Sequence, residues 1–93
     1  MNYSERILKK INAAYPGADI YLKDQSELHA GHAGAKPGGE THFRLEVTSH
    51  AFEGMPRLER QRQVHALLED ELKEQVHALS LSLRTPSESQ KHD

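Results

Sequence analysis

Apolar residues along this 93-residue chain fall in two rhythms, one helical and one alternating, and each switch marks an element. From Asn2 to Tyr15 the spacing is helical, with Ile7, Ile11 and Ala14 on one face and Leu8 and Tyr15 beside it. Asn2 suits the N-cap, Glu5 stands three residues on, and Lys9 and Lys10 suit the negative end of the helix dipole. Pro16-Gly17 ends the helix. Ala18 to Lys23 then alternates, Ile20 and Leu22 one way, Asp19, Tyr21 and Lys23 the other, which predicts a half-buried strand. His42 to Thr48 alternates again, with Phe43, Leu45 and Val47 inward, and the simplest pairing of the two strands is antiparallel. Ser49 to Gly54 reads as a turn or one helical turn.

Pro56 opens the main helix at a position where its missing N–H is harmless. Leu58, Gln61, Val64, His65, Leu68 and Leu72 form the predicted inward stripe; Glu59, Arg62, Gln63, Glu69, Asp70 and Lys73 form a solvated face. Lys73-Glu74-Gln75 lies in the connection as a short third helix, and Leu79, Leu81 and Leu83 alternate with Ser80, Ser82 and Arg84 as a third strand. A strand–helix–strand crossover of this length gives a parallel, right-handed pair. The predicted fold is therefore α+β, in the order α-β-β-α-α-β, with a mixed three-stranded sheet and helices on one face. Residues 1–86 form the domain, and the polar stretch 87–93, with His92, reads as a frayed tail.

Between the first two strands lies a loop, Leu28 to His42, that carries three of the seven histidines and four of the six glycines. Its length exceeds that of a plain hairpin, which leaves two readings: a solvated loop with idle histidines, or a segment that folds onto a metal. The absence of cysteine removes disulfides and thiolate chemistry and fits a reducing, cytoplasmic setting. His77 stands at the head of the last strand, where the residues alone read as a packed strand-end histidine bonded to backbone, and His29 and His32 lie on the glycine loop.

A net charge of −2 argues against general nucleic-acid binding, although Arg57, Arg60 and Arg62 offer a small basic patch. No apolar run approaches the roughly 20 residues of a membrane helix, and no apolar signal segment follows Met1. No nucleophile elbow, phosphate-binding loop or zinc-protease helix surrounds the serines, histidines and acids, so an enzyme is not expected.

The motifs Asp24-Gln25-Ser26 with His29, Glu40-Thr41-His42-Phe43, Ser49, Phe52-Glu53-Gly54, Arg60-Gln61-Arg62 and Val76-His77-Ala78-Leu79 occur in an order and spacing that resemble the BolA family over almost the whole chain. The loop text around His29 and His32 is similar to a histidine-bearing subgroup, and Gln61 departs from the histidine usual at that helix position. The resemblance implies a fold related to class II KH domains and partnership with monothiol glutaredoxins. It further implies a bridging [2Fe–2S] cluster, with thiolates from glutaredoxin and glutathione and histidine from this chain. Family ligands would match His77 and, in the loop, His29 with His32 as competitor. By itself the chain is expected as a monomer or weak homodimer, with no cofactor and no membrane contact. The KH likeness also implies a DNA-binding regulator as the alternative. KH domains clamp nucleic acid with a GXXG loop between helices, whereas the only literal match, Gly31-His32-Ala33-Gly34, lies between predicted strands.

Overall fold

The alternating apolar residues of the two early strands require a surface to pack on, and the helices on either side supply it. The computed structural model describes residues 2–24 and 42–90. Helix α1 spans Tyr3–Ala14, strand β1 Asp19–Asp24 and strand β2 His42–Thr48. A one-turn 3-10 helix, His50–Phe52, precedes helices α2 (Arg57–Leu67) and α3 (Glu69–Glu74). Strand β3 (Ala78–Arg84) and helix α4 (Pro86–Gln90) complete the order.

β2 is central, antiparallel to β1 and parallel to β3, as the alternation and the crossover predict. Phe43, Leu45 and Val47 face the helices and are buried, because three inward side chains on the middle strand have neighbours on both sides. They join Ile7, Ile11, Tyr15, Phe52, Val64, Leu68, Val76 and Leu83 in one core. The opposite sheet face carries Tyr21, Arg44, Glu46 and Ser82, none of them buried. Tyr15 and Phe52 meet with ring centroids 4.9 Å apart, and the Tyr15 hydroxyl donates to Gln63 Oε1 at 2.8 Å. Burial pushes the Tyr15 hydroxyl pKa up.

Local chemistry sets the ends of the elements. Asn2 Oδ1 accepts from the Glu5 N–H at 2.8 Å, which satisfies an orphan donor of α1. Gly17 and Gly54 hold φ of 79° and 75°, a region that favours glycine, and so end α1 and the 3-10 turn.

Four expectations are corrected. The inward face of α2 and α3 is Arg60, Val64, Leu67, Leu68, Glu71 and Leu72, so Val64, Leu68 and Leu72 of the predicted stripe pack on the core; Leu58 is 59% exposed, and Gln61 and His65 face solvent. The buried face is rotated by roughly a quarter turn from the apolar stripe, given 3.6 residues per turn. Two charged residues win inward places because each finds partners there. The third helix begins at Glu69, not Lys73: the helical run breaks at Leu68, whose φ/ψ of −103°/18° is non-helical. Lys10 does not serve the end of α1; its Nζ reaches Glu71 Oε1 of α3 at 2.8 Å, and Ala14 is exposed. Finally, the stretch read as frayed forms α4 as far as Gln90. The Thr85 hydroxyl accepts from the Glu88 N–H at 3.2 Å while Glu88 Oε1 accepts from the Thr85 N–H at 2.9 Å, a reciprocal capping box. Residues 91–93, with His92, lie outside the described residues.

Candidate metal-ligand site at the head of the last strand

His77 occupies the junction of α3 and β3. One residue before it, Val76 is buried to 3% exposure, and its N–H donates to the Glu71 carbonyl at 3.0 Å. The same carbonyl accepts from the Gln75 N–H at 3.1 Å, which closes α3. One residue after it, Ala78 enters the parallel ladder opposite His42. The backbone of His77 is thus held from both sides, while its side chain is exposed. A packed strand-end histidine, the bland expectation, is not what the fold contains.

The anchor beneath this junction is Glu71, fully buried on α3. Arg6 Nη2 lies 2.8 Å from its Oε2 and Lys10 Nζ 2.8 Å from its Oε1. Burial pushes the Glu71 carboxyl up, but the Lys10 hydrogen bond, its own backbone and the charges of Lys10 and Arg6 outweigh that and hold it below the usual carboxylate range. A buried carboxylate between two cations ties α1 to α3 and thereby fixes the turn that presents His77.

His42, read from the sequence as the end of the loop and the first outward residue of the second strand, is the neighbour that was not counted among the ligands. It opens β2, and its ring lies 6.4 Å from that of His77, centroid to centroid, with planes tilted 47°. The chain signals only that His42 opens a strand; the register that sets it opposite Ala78, and so beside His77, comes from the parallel pairing of β2 with β3. β1 ends at Asp24 opposite Phe43, so the chain leaves the sheet, and returns at His42, at the end where His77 stands. His29 and His32, the loop candidates, lie outside the described residues. Among the described residues no group of three or more His, Cys, Asp or Glu side chains is arranged to hold a metal ion. What this end of the sheet offers is two adjacent imidazoles, a donor set that suits iron or zinc and needs further ligands from elsewhere.

The arginine patch does not assemble as expected. Arg57 and Arg62 are exposed on α2, but Arg60 is 5% exposed and turned inward. Its Nε donates to the Met55 carbonyl at 2.8 Å and its Nη1 to the Leu83 carbonyl at 3.0 Å and to Glu88 Oε1 at 2.7 Å. Arg60 is a structural clamp between α2, β3 and α4. Glu88, bonded to Arg60 and to the Thr85 N–H, has its pKa lowered to about 2.

These features define a small α-β-β-α-α-β domain that presents imidazoles at one end of its sheet. The family description "BolA-like protein" matches residues 11–88. The chain is 40% identical to Protein BOLA1, chloroplastic, of Arabidopsis thaliana over 99% of its own length and 59% of that protein's. It is 40% identical to SufE-like protein 1, chloroplastic/mitochondrial, of the same plant over 89% of its length and 24% of that protein's. The structure of BolA1 from Arabidopsis thaliana superposes with a TM-score of 0.83 at 40% identity, covering 95% of this chain and 96% of that one. The chain belongs to the BolA family. It spans about three fifths or less of the length of these two curated relatives, and their names place them in chloroplasts or mitochondria, which lends no support to a cytoplasmic location. Among the described residues no helix is long and apolar enough to cross a membrane.

Proposed function

We propose that this chain is a binding adaptor, not an enzyme, that lends histidine to a [2Fe–2S] cluster carried by a monothiol glutaredoxin with glutathione, in cluster trafficking or iron and redox regulation. One observation carries the reading: His77 is exposed on a backbone held rigid on both sides, with a second imidazole, His42, beside it. A backbone fixed before binding lowers the entropy cost of ligation, so an exposed histidine on a held backbone suits a ligand's role. The donor set fits the group. With no cysteine in the chain, thiolates have to come from the partner, and imidazole in place of thiolate raises the cluster's potential. His77 is the fixed ligand, and the second is His29, His32 or His42, all on the segment that leaves and rejoins the same end of the sheet. The alternative reading, DNA binding through Arg57, Arg60 and Arg62, is weakened by the burial of Arg60.

The test is to mix the chain with a cluster-loaded monothiol glutaredoxin and follow visible absorption and circular dichroism. The wild-type chain is expected to convert the glutaredoxin spectrum to a histidine-ligated one, and His77→Ala, on an exposed side chain, is expected to abolish that conversion while the fold persists. His29→Cys, His32→Cys and His42→Cys, compared one by one, identify the second ligand as the one whose thiolate lowers the potential. An unchanged spectrum with His77→Ala refutes the assignment.

A further inference from the structure

Strand β3 is an edge strand, paired with β2 on one side only. Along its other side, against α2 and α4, runs a groove of about 250 Å³ lined by Arg57, Gln61, Leu81, Ser82, Arg84 and Glu88, with Leu83 between. Four consecutive β3 residues line it and no β2 residue does, which places it along the edge of β3 away from β2. The backbone agrees. The Arg84 carbonyl accepts from the Ser49 N–H on the β2 side at 2.9 Å, and the Leu83 carbonyl, turned the opposite way, accepts from Arg60 at 3.0 Å. Successive residues of a strand turn their backbone groups to opposite sides, so Leu81 presents its N–H and carbonyl to the groove.

The charge of the groove follows from who is already engaged. Both Glu88 oxygens are held by Arg60, at 2.7 Å and 3.2 Å, so that carboxylate is neutralised. Arg57 and Arg84 make no ion pair among the described residues; the Arg57 charge helps to hold the Glu88 carboxyl low, but with Glu88 already bonded to Arg60 the groove keeps a surplus of positive charge. Leu81 and Leu83 give the groove its apolar contact. An open strand edge, flanking cations and an apolar contact together describe a site for strand addition, in which main-chain hydrogen bonds give affinity and side chains give selectivity.

We propose that the β3–α2 groove docks an extended acidic segment of a partner protein, added beside β3 at Leu81, since Arg60 already occupies the Leu83 carbonyl, with its carboxylates meeting Arg57 and Arg84. The inference is independent of the cluster reading: the groove lies along the later half of β3, and no histidine lines it.

The probe is an acetylated, amidated octapeptide of alternating valine and glutamate, titrated into the full chain by amide NMR and fluorescence anisotropy. Binding should shift the amides of Leu81 to Arg84 and of Arg57 to Gln61. Arg57→Glu, on an exposed side chain, and Arg84→Glu should each weaken it at least tenfold, and if Arg84→Glu unfolds the paired Arg57→Gln and Arg84→Gln should do the same. A valine–lysine octapeptide should favour Arg57→Glu over wild type. N-methylation of alternate peptide bonds, which removes strand hydrogen bonds but keeps every charge, should also weaken binding at least tenfold. The proposal is overturned if the octapeptide does not bind, if the N-methylated peptide binds equally well, or if an oligothymidylate of eight nucleotides binds the groove more tightly than the peptide.

Discussion

Glu71→Gln isolates the charge that seats α3 under His77. Gln fills nearly the same volume and can still hydrogen-bond, so the substitution removes charge without opening a cavity. In the wild type, Glu71 has a side chain 1% exposed and holds Arg6 and Lys10, whose side chains are 28% and 35% exposed. Hydrogen bonds to charged groups contribute roughly 1.5–3 kcal/mol each, and breaking a fully buried ion pair costs about 3–5 kcal/mol. The two cations keep part of their water, which places the expected loss below the buried limit, at about 2 kcal/mol. For a domain of this size that lowers Tm by roughly 8–16 °C. The effect depends on pH in a defined direction. The folded pKa of Glu71 is depressed, so its stabilisation is complete above the unfolded carboxylate value of about 4.3 and is lost as pH falls through the lower folded value. Urea unfolding at pH 7 and again near pH 3 should therefore show a gap between wild type and Glu71→Gln that narrows on acidification. His77, two residues beyond the α3 cap that the Glu71 carbonyl closes, should show increased amide exchange in the variant. A loss under 0.5 kcal/mol at pH 7, or a gap that stays constant with pH, would refute the reasoning.

Three further outcomes are expected. Arg60→Ala strips partners from two carbonyls and Glu88 at once and should cost about 3 kcal/mol by urea unfolding, with α4 losing hydrogen-exchange protection first. Because the Glu88 pKa is lowered to about 2, its stabilisation is present above the ordinary carboxylate range and lost only as pH falls through about 2; Glu88→Gln should lower Tm at pH 4 as well as at pH 7. Gly54→Ala meets no atom within 4 Å, so its cost is the left-handed backbone alone, roughly 1 kcal/mol in chemical unfolding with the fold unchanged.

The elements and the sheet were legible in the chain itself because each rests on local physics. Alternation at Phe43, Leu45 and Val47 can bury only one face, and a helical crossover between the second and third strands normally yields a parallel return. The box at Thr85-Pro86-Ser87-Glu88 was equally local, with proline at the first helical position, yet polarity masked it: no apolar residue marks α4, and its stability comes from Arg60. The inward face of α2 and the identity of the second imidazole were not local. Hydrophobic spacing assigned Leu58 and His65 to the core because it has no means of ranking a charged residue that will meet partners from distant strands and helices. Arg60 and Glu71 are buried only because Leu83 and Glu88, and Arg6 and Lys10, converge on them in three dimensions. In the same way, alternation along the chain shows that His77 heads a strand, whereas His42 comes to its side through folding. The parallel register pairs residues 36 positions apart, His42 with Ala78, and no periodicity along the chain encodes it.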